Sequence, residues 1–182
     1  FPGNLYTYDP ANELSVDAWI DFLRQVAVFR PQIHITGGEP FLYRGLPEIL
    51  AETSRLKLGV LLQTNGLQLA ELAEKLVDWN VMQLSVSLDG TRDIHNRIRG
   101  RTDAFDKTLQ GLKALIEVRQ QRNSPGPVTV INCVITKDNI SVLDQMAPLA
   151  NELQADVLEY HHTIFNTKPR VYKHNEILSP QN

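Results

Sequence analysis

Five stretches of the 182-residue chain carry residue types that could act together on a ligand: Gly37-Gly38-Glu39-Pro40, Thr64-Asn65-Gly66, Ser85-Val86-Ser87-Leu88-Asp89-Gly90, Thr136-Lys137 and His161-His162. The first is the most pointed. Gln32 to Thr36 lead into two glycines, whose missing side chains let a ligand approach the backbone and whose φ can turn positive. Pro40 biases Glu39 towards an extended conformation, which fixes the direction of its carboxylate. Bare backbone beside one aimed negative charge suits a cationic group such as an ammonium. A tight strand-to-helix turn with a surface glutamate would use the same residues, and a Gly-Gly pair alone does not separate the two readings.

The elements that must position these stretches follow from periodicity. Ser15 reads as an N-cap, Leu14 and Trp19 as a hydrophobic staple, and Trp19, Phe22, Leu23 and Val26 as the stripe of a helix over 15–29. A strand ending at Gly37 follows, then helix over 45–55, strand over 58–62, helix over about 68–78, and a strand in which Met82, Leu84, Val86 and Leu88 alternate with Gln83, Ser85, Ser87 and Asp89. Residues 91–101 read as a polar loop, 103–122 as a long helix and 128–135 as a β-branched strand. Asn139 is placed to cap a helix over 140–153 that Pro148 should kink, since Pro148 offers no N–H to the carbonyl of Asp144. A last strand runs from Val157 to Tyr160.

Alternating helices and strands at this spacing predict an α/β fold with parallel strands joined by right-handed crossovers. Such sheets bind ligands beyond the carboxyl ends of their strands, and every polar stretch named above falls at such an end. Gln83, Ser85, Ser87 and Asp89 share one strand face. In a sheet flanked by helices they predict a wet cavity, with Ser87 and Asp89 nearest its mouth. The alternative is a face turned to solvent.

Bulk composition narrows the class. The length suits one domain with a substantial core, and 42% hydrophobic with 21% charged residues is ordinary for a globular chain. A net charge of −3 gives no electrostatic reason for a nucleic-acid or anionic-membrane partner, and no apolar run approaches the roughly 20 residues that span a bilayer. With no signal peptide visible at its start, a cytoplasmic location is the expectation. Cys133 is the single cysteine, so the chain offers no multi-cysteine metal site.

Over about residues 14–162 the chain resembles the core of the radical S-adenosylmethionine (radical SAM) superfamily. Gly37-Gly38-Glu39-Pro40 matches the segment that receives the methionine ammonium. Thr64-Asn65-Gly66 matches the end of the family's third strand and Ser85 to Gly90 that of its fourth, while His95-Asn96-Arg97-Ile98-Arg99-Gly100 resembles the segment after it. The resemblance implies a partial TIM-like (βα)6 barrel truncated at its N-terminus, with about five parallel strands and helices outside. It divides the chain into a lead-in (1–14), the barrel (15–165) and a tail (166–182).

By the same resemblance the cofactor is S-adenosylmethionine. Gly37, Gly38, Glu39 and Pro40 would face the ammonium, Ser87 the ribose or methionine portion and Arg99 the carboxylate, whose two oxygens a guanidinium matches. Thr64, Asn65 and Asp89 join that set, and Asn132 and Val134 would line the ribose and adenine pocket. The family also holds a 4Fe-4S cluster through Cys-x3-Cys-x2-Cys, and here that triplet is missing, because Cys133 alone cannot ligate a cubane. The expectation is a radical enzyme core, cleaving the sulfonium reductively and abstracting hydrogen from a substrate, that is inactive as this chain alone. Its partners would be a small-molecule or peptide substrate and an electron donor such as flavodoxin or ferredoxin. A non-catalytic relative that binds a nucleotide-like ligand or a partner protein is the alternative. A phosphate-binding barrel ranks last, as the last two units lack glycines at a helix N-terminus.

The remaining polar residues are weighed one by one. His34 alternates with Ile33 and Ile35 and should face inward, as a satisfied interior histidine or on the substrate side. His161 and His162 leave a strand on opposite faces and cannot easily share a metal, but His161 with Glu159 could line the substrate side. His95 reads as structural or exposed, Cys133 as a small buried hydrophobe, and Trp19 and Trp79 as core.

Overall fold

The structure, a computed structural model, describes residues 13–162. The chain runs α1 (Val16–Val26), β1 (Gln32–Ile35), α2 (Leu46–Arg55), β2 (Gly59–Thr64), α3 (Leu69–Asp78), β3 (Gln83–Ser87), α4 (Arg92–Arg99), α5 (Ala104–Gln121), β4 (Val128–Ile135), α6 (Met146–Glu152) and β5 (Val157–His162). The strands form one five-stranded sheet in chain order, each parallel to its neighbour. This is the α/β partial barrel that the alternation and the resemblance imply. The lead-in and tail fall almost wholly outside the described residues.

Local chemistry sets the element ends. The Ser15 hydroxyl accepts from the Ala18 N–H at 3.2 Å and caps α1, which closes in a 3-10 turn, Ala27–Phe29, with Arg30 at φ 49°. The core lies on one face of the sheet. Val60, Leu62, Leu84, Val86, Ile131 and Cys133 pack there against Leu50, Leu69, Leu76, Leu112, Leu115 and Met146 of the helices. Leu62, Leu84, Val86, Leu112 and Leu115 are all at most 1% exposed, each contributing about 1.5–3 kcal/mol of burial. Gly111 lets α5 lie directly on α3, since a Cβ there would stand 2.6 Å from the Leu69 Cβ.

The opposite sheet face carries the polar alternates. In register, His34 lies beside Leu61 and Gln83, Gln63 beside Ser85 and Val130, Ser87 beside Asn132 and Glu159, and Val134 beside His161. Parallel partners project to the same side, so these residues share one face, away from the helices that bury Leu84 and Val86.

The structure corrects the sequence reading at several positions; besides Asp89, which is turned into protein, and His34, which is exposed and not a satisfied interior histidine, they are these. Residues 92–99 form α4, an eight-residue helix, where a loop was expected; Gly100 ends it at φ 65°. Asn139 makes no helix cap, and Pro148 kinks nothing. Residues 140–145 wind as a 3-10 turn and α6 begins at Met146, which puts Pro148 in its first turn, where an N–H has no partner to serve. Trp19 is 37% exposed rather than core, whereas Trp79 does pack against the core.

Candidate functional site

The strand ends converge through side chains that hold one loop to the next. Glu39, in the loop after β1, is the first such clasp. Its Oε1 accepts from the Phe41 N–H (3.2 Å) and the Thr64 hydroxyl (2.9 Å), and its Oε2 from the Asn65 N–H (2.7 Å). Three donors in those directions leave a lone pair on Oε2 and fix the carboxylate beside the glycines. Thr64 and Asn65 also shape their own turn, accepting from the N–H groups of Gly66 (3.1 Å) and Leu67 (2.9 Å). Gly37 has φ 140°, and no atom of the described residues lies within 4 Å of a Cβ built on Gly37 or Gly38. The space over these two residues is open to a ligand.

Asp89 is the second clasp. Its side chain is 4% exposed and turned into protein: Oδ2 lies 2.6 Å from Arg99 Nη2, and Oδ1 accepts from the Val134 N–H at 3.2 Å. The Asp89 carbonyl accepts from Asn139 Nδ2 at 2.8 Å, which donates to the Val134 carbonyl at the same distance. Asp89 therefore ties the end of β3 to the end of β4 and to α4, and it does not take the expected place at the mouth of a wet cavity with Ser87. Its neighbour His95 is fully buried, so its structural alternative is the one the fold adopts. Burial and the Arg99 charge lower the His95 pKa to about 4, and its Nδ1 accepts from the Asp89 N–H at 3.1 Å.

Among the described residues, Asn132 Oδ1, one strand over from Ser87, Arg99 Nε and His95 Nε2 are buried polar atoms without a hydrogen-bond partner. Farther along the face, His161 Nε2 lies 3.2 Å from Glu159 Oε2, both exposed. His34 is exposed too, on the wall of a groove of about 480 Å3 between α1, α2 and β1 that also meets Trp19, Phe22, Gly38 and Glu39. Pro40 is buried at the base of the loop. The site thus groups Gly37 to Pro40 with Thr64 and Asn65, and Ser87 with Asn132, Val134, Asp89 and Arg99. His95, read from the sequence as structural or exposed, and Asn139, read as a helix cap, both brace Asp89 through hydrogen bonds to its backbone. The signal for His95 was its place one helical turn before Arg99.

A parallel α/β barrel segment with polar residues beyond the carboxyl ends of its strands belongs to the class of folds that bind ligands at that end. The chain belongs to the Radical SAM superfamily, whose family model matches residues 3–149. It is 36% identical over 155 residues to the AdoMet-dependent heme synthase of Methanosarcina barkeri, covering 84% of this chain and 42% of that protein. The mycofactocin maturase MftC of Mycobacterium tuberculosis is 32% identical over 75% of the chain and 33% of the maturase. Among solved structures, Streptococcus suis SuiB bound to S-adenosylmethionine superposes with a TM-score of 0.73 at 20% identity, over 91% of this chain and 38% of SuiB. Native anSMEcpe with bound AdoMet gives 0.71 at 19% identity, over 96% and 50%. The chain spans about two fifths of the length of the curated relatives it matches.

Membership implies S-adenosylmethionine and a 4Fe-4S cluster. The open glycines, the unpartnered Asn132 Oδ1 and the unpartnered Arg99 Nε fit the first. The residues of this chain do not fit the second. Cys133 is the one cysteine in the sequence, it is buried with its thiol pushed up to about 12, and no three His, Cys, Asp or Glu side chains converge among the described residues.

Proposed function

We propose that this chain is the S-adenosylmethionine-holding core of a radical enzyme. The reading is supported by two polar groups at the carboxyl ends of neighbouring parallel strands: bare Gly37-Gly38 backbone with the Glu39 carboxylate, and Ser87 with Asn132 near the Asp89–Arg99 pair. The ammonium of the ligand would meet the carbonyls of Gly37 and Gly38 and the remaining lone pair of Glu39. Arg99 would take the carboxylate through donors that Asp89 does not occupy. Ser87 and Asn132, side by side in register, are placed for the ribose hydroxyls or the adenine edge, with Val134 beside them against the base. Thr64 and Asn65 serve by holding Glu39.

S-adenosylmethionine, when bound and reduced, supplies a carbon radical that abstracts hydrogen from a substrate. The protein's part is to orient it and exclude water. His34, Glu159 and His161 share the sheet face of Ser87 and form the substrate side of the reading. SuiB has been solved with its precursor peptide SuiA, which supports a peptide among the candidate substrates, beside a small molecule. The electron donor would be a flavodoxin or ferredoxin. No described helix is long and apolar enough to cross a membrane, which is compatible with a cytoplasmic setting. Because Cys133 is the only cysteine, this chain by itself is read as binding the nucleoside without cleaving it. A non-catalytic binding role rests on that same observation.

Titration calorimetry tests the reading. The chain should bind S-adenosylmethionine, and Glu39→Ala and Arg99→Ala should each weaken it by about tenfold or more, since each leaves a charged ligand group unpaired. Affinity unchanged in both variants would remove these assignments.

A further inference from the structure

We infer that Asp89 and His95 are positioning residues, which set the Arg99 guanidinium for the carboxylate of the nucleoside's amino-acid arm. The inference rests on the reading above that Arg99 meets that carboxylate. Its basis is the geometry of α4. His95 and Arg99 stand one turn apart on that helix and both reach Asp89, from its N–H (3.1 Å) and its Oδ2 (2.6 Å). The His95 ring is fully buried and meets Phe105 edge-on at 6.3 Å. An Nδ1 that accepts a backbone N–H requires the neutral tautomer with its proton on Nε2, and Nε2 is buried with no partner among the described residues. The ring thus acts as an uncharged wedge that holds the Asp89 backbone to α4. A charged ring would be a second cation against Arg99.

Asp89 then transmits the position. Its Oδ1 takes the Val134 N–H, and Asn139 Nδ2 bridges the carbonyls of Asp89 and Val134. Arg99 is in this way pinned to the end of β4, two residues from Asn132, the residue with the free oxygen. One Arg99 nitrogen is spent on Asp89. Its buried Nε has no partner, and the side chain is 30% exposed. Since the Asp89–Arg99 pair carries no net charge, an arriving carboxylate is selected by the direction of the remaining N–H groups more than by bulk positive potential.

The test compares S-adenosylhomocysteine with 5′-methylthioadenosine, the same nucleoside without the amino-acid arm, in calorimetric titrations of the chain. Asp89→Asn should weaken S-adenosylhomocysteine by about tenfold and leave 5′-methylthioadenosine within about twofold, and it should add nothing in an Arg99→Ala background. His95→Leu should copy that selective loss, and His95→Asn, which keeps an acceptor near the Asp89 N–H, should restore binding. If Asp89→Asn fails to fold by circular dichroism, the two His95 variants decide. Equal loss for both ligands, or loss that adds to that of Arg99→Ala, overturns the positioning role alone. A wild-type chain that binds neither ligand overturns the proposed function and this inference with it.

Discussion

Glu39 and His95 are single residues on which the packing of several loops and elements depends. The Glu39 carboxylate closes the gap between the loops after β1 and β2 with three accepted hydrogen bonds. Glu39→Gln keeps the shape but turns an NH2 towards a donor, so urea unfolding should show a loss of about 1–2 kcal/mol besides any loss of ligand. His95 makes the fold sensitive to mild acid. Its folded pKa of about 4 lies below the ordinary histidine value of 6.5, because burial and Arg99 disfavour the charged ring. Between those values the unfolded chain binds the extra proton, so stability is full above about pH 6.5 and falls as pH drops towards 4. Urea titrations at pH 7 and 5 should show that drop, and His95→Asn should flatten it. The residues proposed to meet a ligand were legible because Gly-Gly-Glu-Pro and Ser-x-Ser-Leu-Asp-Gly state their chemistry in residue type. The inward turn of Asp89 was not, because strand alternation ends at Ser87 and the last two positions follow α4 and β4 instead.

At the scale of elements, α4 is the piece that sequence periodicity hides. It offers only Ile94 and Ile98 as apolar residues, so no stripe announces it. Its ends do carry signals: Asp93 in the first turn, Arg97 and Arg99 in the last, and Gly100 at the left-handed stop. Asn96 ties α4 to the start of α5, accepting from the Phe105 N–H and donating to the Thr102 carbonyl, both at 2.8 Å. Asn96→Ala should cost about 1–3 kcal/mol in thermal or urea unfolding and should loosen Arg99 with it. On the far side of the fold, α1 is held to α2 by Glu52, which takes Arg24 at 2.8 Å and Arg55 at 2.6 Å. The hydrogen bond from Arg55, foremost, and that from Arg24 outweigh the cost of burial and lower the Glu52 pKa from 4.5 to about 2. Its contribution is complete above pH 4.5 and is lost as pH falls towards 2. Glu52→Gln should abolish that part of the acid transition. Apart from α4 and the 3-10 turn over 140–145, strand and helix order was legible, because the other apolar stripes pack into the two buried clusters of the fold.

For the molecule as a whole, one sheet separates two jobs. Its helix-covered face supplies the stability: Leu84→Ala, at 0% exposure, should cost about 2–5 kcal/mol without changing the rim. Its other face and its carboxyl ends carry the polar residues, spread over all five strands in register. The family could be read from four short motifs in order. The supporting hydrogen bonds could not, since Asn139 lies 50 residues from Asp89 in the chain and only packing brings them together. The measurement that bears most directly on the central claim is a crystal structure of the chain with S-adenosylhomocysteine. It should place the amino group over Gly37-Gly38, the carboxylate on Arg99 and the ribose or adenine against Ser87 and Asn132. Ligand density lying elsewhere on the surface, with that rim empty, would contradict the account.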